Sequence, residues 1–201
     1  MKALILIDVQ NDFLPGGALA VPNGDEIIDV LNPIQNKFPL VVATQDWHPA
    51  SHGSFASNHP GKDPFSMGKL GGLDQVLWPD HCVQGKPGSA FSDQLNMLAV
   101  EAIFRKGTDP EIDSYSGFFD NGKKKATGLG DYLKGRGVNQ VFLGGLAADF
   151  CVGFTALDAL ELGFETWLIE DATRPIDQEG WKKMKADIIA KGGNIIFSGS
   201  L

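Results

Sequence analysis

Residues 141–163 read VFLGGLAADFCVGFTALDALELG, and they contain the signals of a buried strand, a turn and a helix in direct succession. The run from Val141 to Leu143 is short and apolar, which predicts a strand buried on both faces. Asp149 is available as the N-cap of the following helix, and Gly163 stands just past its last apolar residue. This delimits the helix and places Cys151 in its first turn. The apolar residues of this helix recur with helical spacing at Val152, Ala156, Leu157 and Leu160.

The same kind of apolar run recurs along the chain, and segments with helical spacing lie between the runs. In an alternating chain of this kind, right-handed crossovers connect parallel strands. The pattern therefore predicts an α/β fold with a mainly parallel sheet covered by helices. The further predicted strands are Ala3 to Ile7, Leu40 to Thr44, Ala102 to Phe104, Thr166 to Ile169 and Ile195 to Phe197. The first helical segment has its apolar residues at Ile27, Val30, Leu31 and Ile34.

The composition is that of one globular folding unit. The 201 residues are 43% hydrophobic and 21% charged, which is ordinary for a globular chain and unlike a disordered one. We therefore predict a single domain over residues 1–201. The net charge of -8 weighs against nucleic acid as a partner, because phosphate binding needs a positive field.

The sequence also indicates a location. No apolar run approaches the length of a membrane span, and the first run, Ala3 to Ile7, is too short for the core of an export signal. With only Cys82 and Cys151, a disulfide framework is not expected, which leaves two free thiols. We expect a cytoplasmic protein without a membrane partner. Whether it is a monomer or a homo-oligomer is left open.

A long irregular segment runs from Trp47 to Ser92 and is rich in glycine, proline, serine and asparagine. It shows neither helical nor strand periodicity, and loops this long are usually functional or disordered. All four histidines lie in it, which favours a functional loop and predicts a metal-binding region around residues 46–92. The histidines are His48, His52, His59 and His81.

Three residues that can carry chemistry follow or end predicted strands. Asp8, Lys106 and Cys151 are therefore expected at the carboxyl ends of the sheet, where ligand crevices form. A thiol becomes a nucleophile when a helix N-terminus and a cation favour the thiolate. A carboxylate can then take and return a proton. Taken singly, each residue has a more ordinary interpretation: a loop cap, a solvated lysine and a small core residue. Spacing alone does not bring the three together.

A second group of residues has the composition of a metal site. Asp46 and His48 are two positions apart just beyond the second strand, so their side chains point the same way in an extended backbone. With His81 they provide one carboxylate and two imidazoles, which leaves positions open for water or substrate. The alternative is a loop whose histidines are merely solvated. We favour metal binding, and zinc, iron and manganese all accept these ligands.

Three aromatic residues lie in loops, among glycine, proline, aspartate or serine. Phe13, Trp78 and Tyr115 can form a flat slot for a planar ring, since small-ligand pockets are mostly apolar. They can equally fasten the long loop to the core. Spacing does not decide between these two interpretations.

Five motifs, in order, resemble those of the nicotinamidases within the isochorismatase-like cysteine hydrolases. The resemblance runs nearly from end to end of the chain. The five segments are Ile7 to Phe13 (IDVQNDF), Thr44 to Pro49 (TQDWHP), Trp78 to Gly85 (WPDHCVQG), Phe104 to Gly107 (FRKG) and Gly144 to Val152 (GGLAADFCV).

The resemblance implies a fold and an activity. The implied fold is an α/β three-layer sandwich, with a six-stranded mainly parallel sheet and helices on both faces. The implied activity is hydrolysis of nicotinamide to nicotinate and ammonia through a cysteine thioester, as in NAD salvage, with pyrazinamide as a further substrate. One divalent metal ion, zinc by preference, holds the pyridine nitrogen in such enzymes.

The resemblance also assigns residues. It implies Asp8, Lys106 and Cys151 as the catalytic triad. It implies a cis peptide between Leu146 and Ala147, which aims the amides of Ala147 and Cys151 at an oxyanion. Aromatic residues matching Phe13 and Trp78 flank the substrate ring in the family, which favours the slot interpretation. We include Tyr115 as the third predicted substrate-binding residue. The implied metal ligands are Asp46, His48 and His81.

Some features depart from the family pattern or leave an alternative. Ala148 stands where relatives commonly have threonine, and Phe150 where they have tyrosine or histidine, which affects only details of the oxyanion loop. His52 matches a position that some members use as a further ligand, and it is not included in the predicted set. The alternative function is another amide or carbamoyl hydrolase of the same superfamily. Such relatives generally lack the Asp-x-His pair and the distant histidine.

Overall fold

The computed structural model describes all residues from 1 to 201. Its centre is a six-stranded sheet with the strand order β5-β2-β1-β6-β7-β8, and every pairing in it is parallel. The predicted mainly parallel sheet is confirmed. The strands are β1 Lys2–Ile7, β2 Val41–Asp46, β3 Met67–Leu70, β4 Leu73–Val76, β5 Val100–Lys106, β6 Gln140–Leu146, β7 Glu165–Arg174 and β8 Asn194–Ile196. The helices are α1 Glu26–Ile34, α2 Leu129–Gly135, α3 Gly153–Glu161 and α4 Gln178–Ala190.

Side chains of β1 alternate between two hydrophobic cores, one on each face of the sheet. Ile5 and Ile7 belong to the core that also contains residues of α2, α3 and α4. Leu4 and Leu6 belong to the core that contains the apolar face of α1. Because helices cover both faces, central strands carry continuous apolar runs, as β1 does. The predicted three-layer arrangement is confirmed. No helix combines the length and the apolar character needed to cross a bilayer.

Strand ends differ from the prediction in places that affect the site. β5 extends to Lys106, so this lysine is the last residue of the strand and does not follow it. β7 is longer than predicted and reaches Arg174. Both strands lengthen with polar residues, which apolar-run counting does not detect.

The predicted absence of regular structure between Trp47 and Ser92 is wrong for one part of the segment. Residues of β3 and β4 form an antiparallel two-stranded hairpin outside the main sheet, joined by Gly71 and Gly72. Both glycines have positive φ, which the tight turn requires. Most side chains of the hairpin are exposed or half-buried, and neither short strand has a continuous apolar run that would reveal it.

The predicted N-cap at Asp149 is also wrong. Residues Ala148–Val152 form a π-helical turn that precedes α3, and Ala147 is the residue before that turn. The carboxylate of Asp149 does not cap a helix, because it accepts hydrogen bonds from the backbone N–H groups of Ile176 and Asp177 at 2.9 and 2.8 Å. Cys151 therefore lies in the π-helical turn, and Asp149 ties that turn to the loop after β7.

Candidate active site

Four strands bring functional side chains to one edge of the sheet. Asp8 directly follows β1, Asp46 ends β2, Lys106 ends β5, and the turn with Cys151 follows β6. In a parallel sheet these carboxyl ends lie side by side, which is where such folds form their crevice. Residues far apart in sequence thus meet at one place.

Lys106 is the centre of this group and is only 2% exposed. Its Nζ lies 2.9 Å from Asp8 Oδ2, 2.7 Å from Asp46 Oδ1 and 3.4 Å from Cys151 Sγ. It also donates to the backbone carbonyl of Ser114 at 2.9 Å. A lysine is rarely buried so completely unless it is paired. Here it is surrounded by two carboxylates, a carbonyl and the thiol.

The pKa values follow from burial and from this pairing. Burial raises the pKa of Asp8, although Lys106 acts against the shift. Burial would lower the pKa of Lys106, but Asp46 and Asp8 raise it well above its usual value. Burial also raises the pKa of Cys151 well above the ordinary thiol value, more than Lys106 lowers it. The resting thiol is therefore protonated, and a base must remove its proton before attack.

Asp8 is placed to be that base. Its Oδ1 accepts a 2.6 Å hydrogen bond from the Thr44 hydroxyl, which fixes the carboxylate. Its Oδ2 forms an ion pair with Lys106 but accepts no well-aligned hydrogen bond. A carboxylate oxygen of Asp8 and the sulfur of Cys151 lie within 4.8 Å of each other. Oδ2 therefore keeps a lone pair for a proton. Thr44 was not predicted, although its position at the end of the second predicted strand, two residues before Asp46, points it to the same side.

Asp46, His48 and His81 form a second, adjoining cluster. Asp46 Oδ2 lies 3.2 Å from Nε2 of His48 and 3.6 Å from Nε2 of His81, and all three residues are buried. The structure therefore brings together the three predicted metal ligands. Burial would raise the pKa of Asp46, but Lys106 and then His48 hold it well below its usual range. Its carboxylate is thus ionised, as a ligand must be.

The hydrogen bonds of the two histidines support this use. His48 Nδ1 lies 2.8 Å from the carbonyl of Gly107, and His81 Nδ1 lies 2.8 Å from the carbonyl of Pro79. A carbonyl can only accept, so each Nδ1 donates its proton to the carbonyl, and each Nε2 faces Asp46. Metal-ligating histidines are oriented in this way by their second nitrogen. The donor set of one carboxylate and two imidazoles fits a divalent ion.

His52 adjoins the cluster. Its ring centroid lies 4.3 Å from that of His48, its Nδ1 is bonded to Ser54, and its buried Nε2 has no partner. Burial and then the neighbouring His48 lower its pKa to about 4, so the ring is neutral. Asp113 completes a further buried group with His48 and His52. Asp113 was not predicted, because it lies in an irregular segment without a motif.

A narrow pocket lies beside the two clusters and is lined by Cys151 of the first and by Asp46, His48 and His81 of the second. Phe13, Trp78 and Tyr115 all line it, as does Cys151, so the structure brings together the predicted aromatic residues. Phe150 adds a further ring, 4.9 Å from Trp78 and nearly perpendicular to it. It was not predicted as a pocket residue, and its only signal is its position next to the cysteine. The pocket has the apolar walls and few polar groups of a site for a small planar ligand.

The turn that carries Cys151 begins with the predicted cis peptide between Leu146 and Ala147, which is present. Ala147 lines the pocket beside Cys151. Its carbonyl accepts hydrogen bonds from the backbone N–H groups of Phe150 and Val152, which close the turn. The backbone of this turn is thus held against the pocket.

The surroundings of Cys82 and Tyr115 are also defined by burial and by their neighbours. Cys82 is completely buried in the core, and burial raises its pKa well above the ordinary value. Tyr115 is held by Gln75 Nε2, 3.1 Å from its hydroxyl, and burial raises its pKa. Gln75 belongs to β4, so the unpredicted hairpin contacts the pocket wall.

The fold is an α/β fold with a parallel sheet whose carboxyl edge carries the site, and it was compared with known families. A family model described as the isochorismatase domain matches residues 2–198. The chain therefore belongs to the isochorismatase family.

Several of the relatives are named for the same activity. A nicotinamidase from Escherichia coli (strain K12) is 49% identical over 180 residues, covering 88% of this chain and 84% of that protein. The structure of an Acinetobacter baumanii nicotinamidase and pyrazinamidase matches with a TM-score of 0.97 and 46% identity, covering 99% of this chain and 97% of the other. A pyrazinamidase of Pyrococcus horikoshii, solved in complex with zinc, matches with a TM-score of 0.80 and 40% identity, covering 98% of each chain.

Proposed function

We propose that this protein is an amidohydrolase that converts nicotinamide to nicotinate and ammonia. One observation carries the proposal. Lys106 contacts both Asp8 and Cys151, and Cys151 lines an aromatic pocket beside a cluster of one carboxylate and two imidazoles. The relatives named nicotinamidase support the substrate. Nicotinate is a precursor of pyridine nucleotides, so the reaction belongs to NAD salvage.

Attack on the amide begins with transfer of the thiol proton of Cys151 to Asp8. The sulfur bonds to the carboxamide carbon, and the carbonyl oxygen becomes an oxyanion. The C–N bond then breaks, and the nitrogen takes the proton from Asp8 and leaves as ammonia. A nicotinoyl thioester on Cys151 remains. Burial raises the pKa of Asp8, which favours uptake of the thiol proton by this carboxylate.

Two further groups stabilise charge in this step. Lys106 stays protonated and offsets the negative charge that passes between Asp8, the sulfur and the substrate. The backbone amides of Ala147 and Cys151 hold the oxyanion. Removal of one donor of this kind typically reduces the rate on the order of a hundredfold.

Hydrolysis of the thioester uses the same residues. Asp8 takes a proton from a water molecule, and the oxygen of that water attacks the thioester carbon. The C–S bond breaks, the sulfur regains a proton from Asp8, and nicotinic acid leaves, which loses its proton to solvent and becomes nicotinate. The free enzyme is restored with no net change in its protons.

Asp46, His48 and His81 would hold one divalent ion, with zinc as the first choice and iron or manganese as alternatives. When bound there, the ion supplies a Lewis-acidic position that orients the pyridine nitrogen of the substrate. Phe13, Trp78 and Tyr115 enclose the ring. Pyrazinamide is similar in size and has a ring nitrogen at the same position relative to its carboxamide, so we expect it to be a substrate as well.

Three further expectations remain predictions. We propose a single domain over residues 1–201 and a cytoplasmic location, which the two unpaired cysteines support. Nicotinamide is the partner molecule, and nucleic acid is not. The state of association stays open between monomer and homo-oligomer.

A direct assay tests the function. Purified protein is incubated with nicotinamide, and ammonia and nicotinate are measured before and after dialysis against a chelator. We expect equal amounts of both products, loss of activity on chelation and recovery on addition of zinc. Benzamide, which lacks the ring nitrogen, serves as the matched substrate and should react much more slowly. Activity that survives metal removal would contradict the metal role, and release of ammonia only from carbamoyl compounds would contradict the substrate.

A further inference from the structure

The strand β1 ends too early to pair with the whole of β2. The last parallel pair joins Ile7 to Thr44, while β2 continues to Asp46. Asp8 has a φ of 50°, in the left-handed region, so the chain leaves the sheet at this residue. On its other side Asp46 pairs with Lys106 of β5. The backbone of Asp46 that faces β1 is therefore left without a strand partner.

The side chain of Gln10 takes the place of the missing strand. Its Oε1 accepts from the backbone N–H of Asp46 at 2.8 Å, and its Nε2 donates to the carbonyl of Asp46 at 2.8 Å. The same Nε2 donates to the carbonyl of Ser89 at 2.9 Å. A side-chain amide has the donor and acceptor of a peptide group, so it satisfies both orphaned groups of Asp46. Gln10 is completely buried, and none of its bonds competes with solvent.

Asp12, two residues later, holds the other part of the metal cluster. Its Oδ2 accepts from the backbone N–H of Cys82 at 2.7 Å, directly after His81. Cys82 has a φ of 46°, a conformation that non-glycine residues rarely adopt and that needs support from its surroundings. Its carbonyl accepts from the backbone N–H of His48 at 3.0 Å. Position 88 must be glycine for this arrangement, because a Cβ there would lie 2.1 Å from Asp12 Oδ2.

We propose that Gln10 and Asp12 are positioning residues of the metal site. Gln10 holds the backbone of the ligand Asp46, and Asp12 holds the residue that follows the ligand His81. The ligands come from a strand end and from a loop, which also contact each other through the backbone of His48, Cys82 and Gln84. One short segment after β1 thus aligns both parts. The inference depends on the ligand set stated under the proposed function.

Groups that orient metal ligands are worth roughly 10- to 100-fold in metal affinity when they are removed. Gln10→Met keeps a similar volume but removes all three hydrogen bonds, so we expect at least tenfold weaker zinc binding. Gln10→Glu retains the acceptor for the Asp46 N–H but removes both donors. It should also weaken binding. Asp12→Asn retains one acceptor and should have a smaller effect.

The experiment measures zinc affinity without reference to activity. Each protein is prepared free of metal, and zinc is titrated in competition with a chromophoric chelator. Gln45→Met is the matched control. Gln45 is also buried, and its side chain donates to the same carbonyl of Ser89 at 3.0 Å but forms no hydrogen bond with Asp46. Gln35→Met controls for loss of a buried glutamine, since the Gln35 side chain has no hydrogen-bond partner. Asp46→Ala shows what loss of a ligand does.

The possible results are distinct. Tenfold or greater weakening in Gln10→Met, with both control glutamine variants within twofold of wild type, supports the inference. Wild-type affinity in Gln10→Met, or equal weakening in Gln45→Met, overturns it. If Gln10→Met does not fold, judged by circular dichroism of the metal-free protein, Gln10→Glu decides by the same criteria. A wild-type protein that binds zinc no better than Asp46→Ala contradicts the ligand set itself, and the inference fails with it.

Discussion

At the scale of single residues, the site concentrates charge where water is excluded. Lys106 is buried between Asp8 and Asp46, and all three are nearly inaccessible. Buried charges are costly unless each is paired, and loss of one partner leaves another uncompensated. The arrangement is explained by chemistry more than by stability, because a lysine held beside a thiol and a carboxylate keeps a positive charge at the reacting atoms.

The proposed role of Cys151 as the nucleophile predicts that its loss abolishes turnover but not binding of nicotinamide. Cys151→Ala removes only the sulfur from the pocket, so the aromatic walls and the metal cluster remain. We expect nicotinamide turnover to fall on the order of a thousandfold or more. Ammonia release and equilibrium dialysis with labelled nicotinamide measure the two properties.

The second cysteine provides the control for this experiment. Cys82 is equally free and more deeply buried, but it points into the core. Cys82→Ala should therefore keep turnover. Loss of both turnover and nicotinamide binding in Cys151→Ala would speak against the assigned role, since it would show a collapsed pocket.

At the scale of elements, the end of β6 determines where the cysteine turn begins. Gly145 has a φ of 134°, and a Cβ at this position would lie 2.0 Å from the carbonyl oxygen of Ile7 in β1. The register between β6 and β7 shifts at the same point. The close approach of the two backbones lets the chain leave the sheet directly beside Asp8. Only glycine meets both requirements.

Gly145→Ala should therefore destabilise the protein through two separate costs. Strain at a positive φ and contact with the neighbouring backbone together amount to about 3 kcal/mol or more. Gly163 also has a positive φ, but a Cβ added there would meet nothing within 4 Å, so Gly163→Ala bears only the first cost, about 1–2 kcal/mol. Urea unfolding of both variants gives the two free energies. Equal destabilisation would show that the contact with Ile7 does not matter.

At the scale of the whole molecule, the site joins segments that the two cores hold from opposite faces of the sheet. β1 contributes apolar side chains to both cores, and Asp8 follows it directly. The segment from β2 to β5 folds back over the carboxyl edge and supplies the histidines. Metal binding at the proposed ligands would therefore connect the sheet to the long loop, and its free energy would contribute to the stability of the native state.

Zinc should accordingly stabilise the whole chain against heat. At about one hundred times the dissociation constant, the gain is about 2.7 kcal/mol, which raises the melting temperature by roughly 5–10 °C for a chain of this size. Differential scanning calorimetry of the metal-free protein with increasing zinc measures this shift. His81→Ala should remove most of it. An identical shift in wild type and His81→Ala would indicate zinc binding elsewhere.

The elements that the sequence predicted are buried on both faces, whereas the features that it missed are exposed or depend on contacts between distant residues. The apolar runs of β1 and β6 and the spacing in α1 were sufficient, because burial on both faces leaves an unambiguous pattern. The hairpin of β3 and β4 was missed, because its side chains are mostly exposed. The N-cap at Asp149 was predicted from residue type, and the loop after β7 took that carboxylate instead, which no local pattern could indicate.

The sequence by itself determined the α/β architecture, the motifs that resemble the family and the residue types available for catalysis and metal binding. Only the tertiary structure decided which of them meet, since Asp8, Lys106 and Cys151 are brought into contact by strand order and by where each strand ends. It also decided the protonation of the thiol, because burial depends on the complete packing of both cores. Local patterns record which face of an element is buried, whereas contact between distant residues is a property of the assembled sheet.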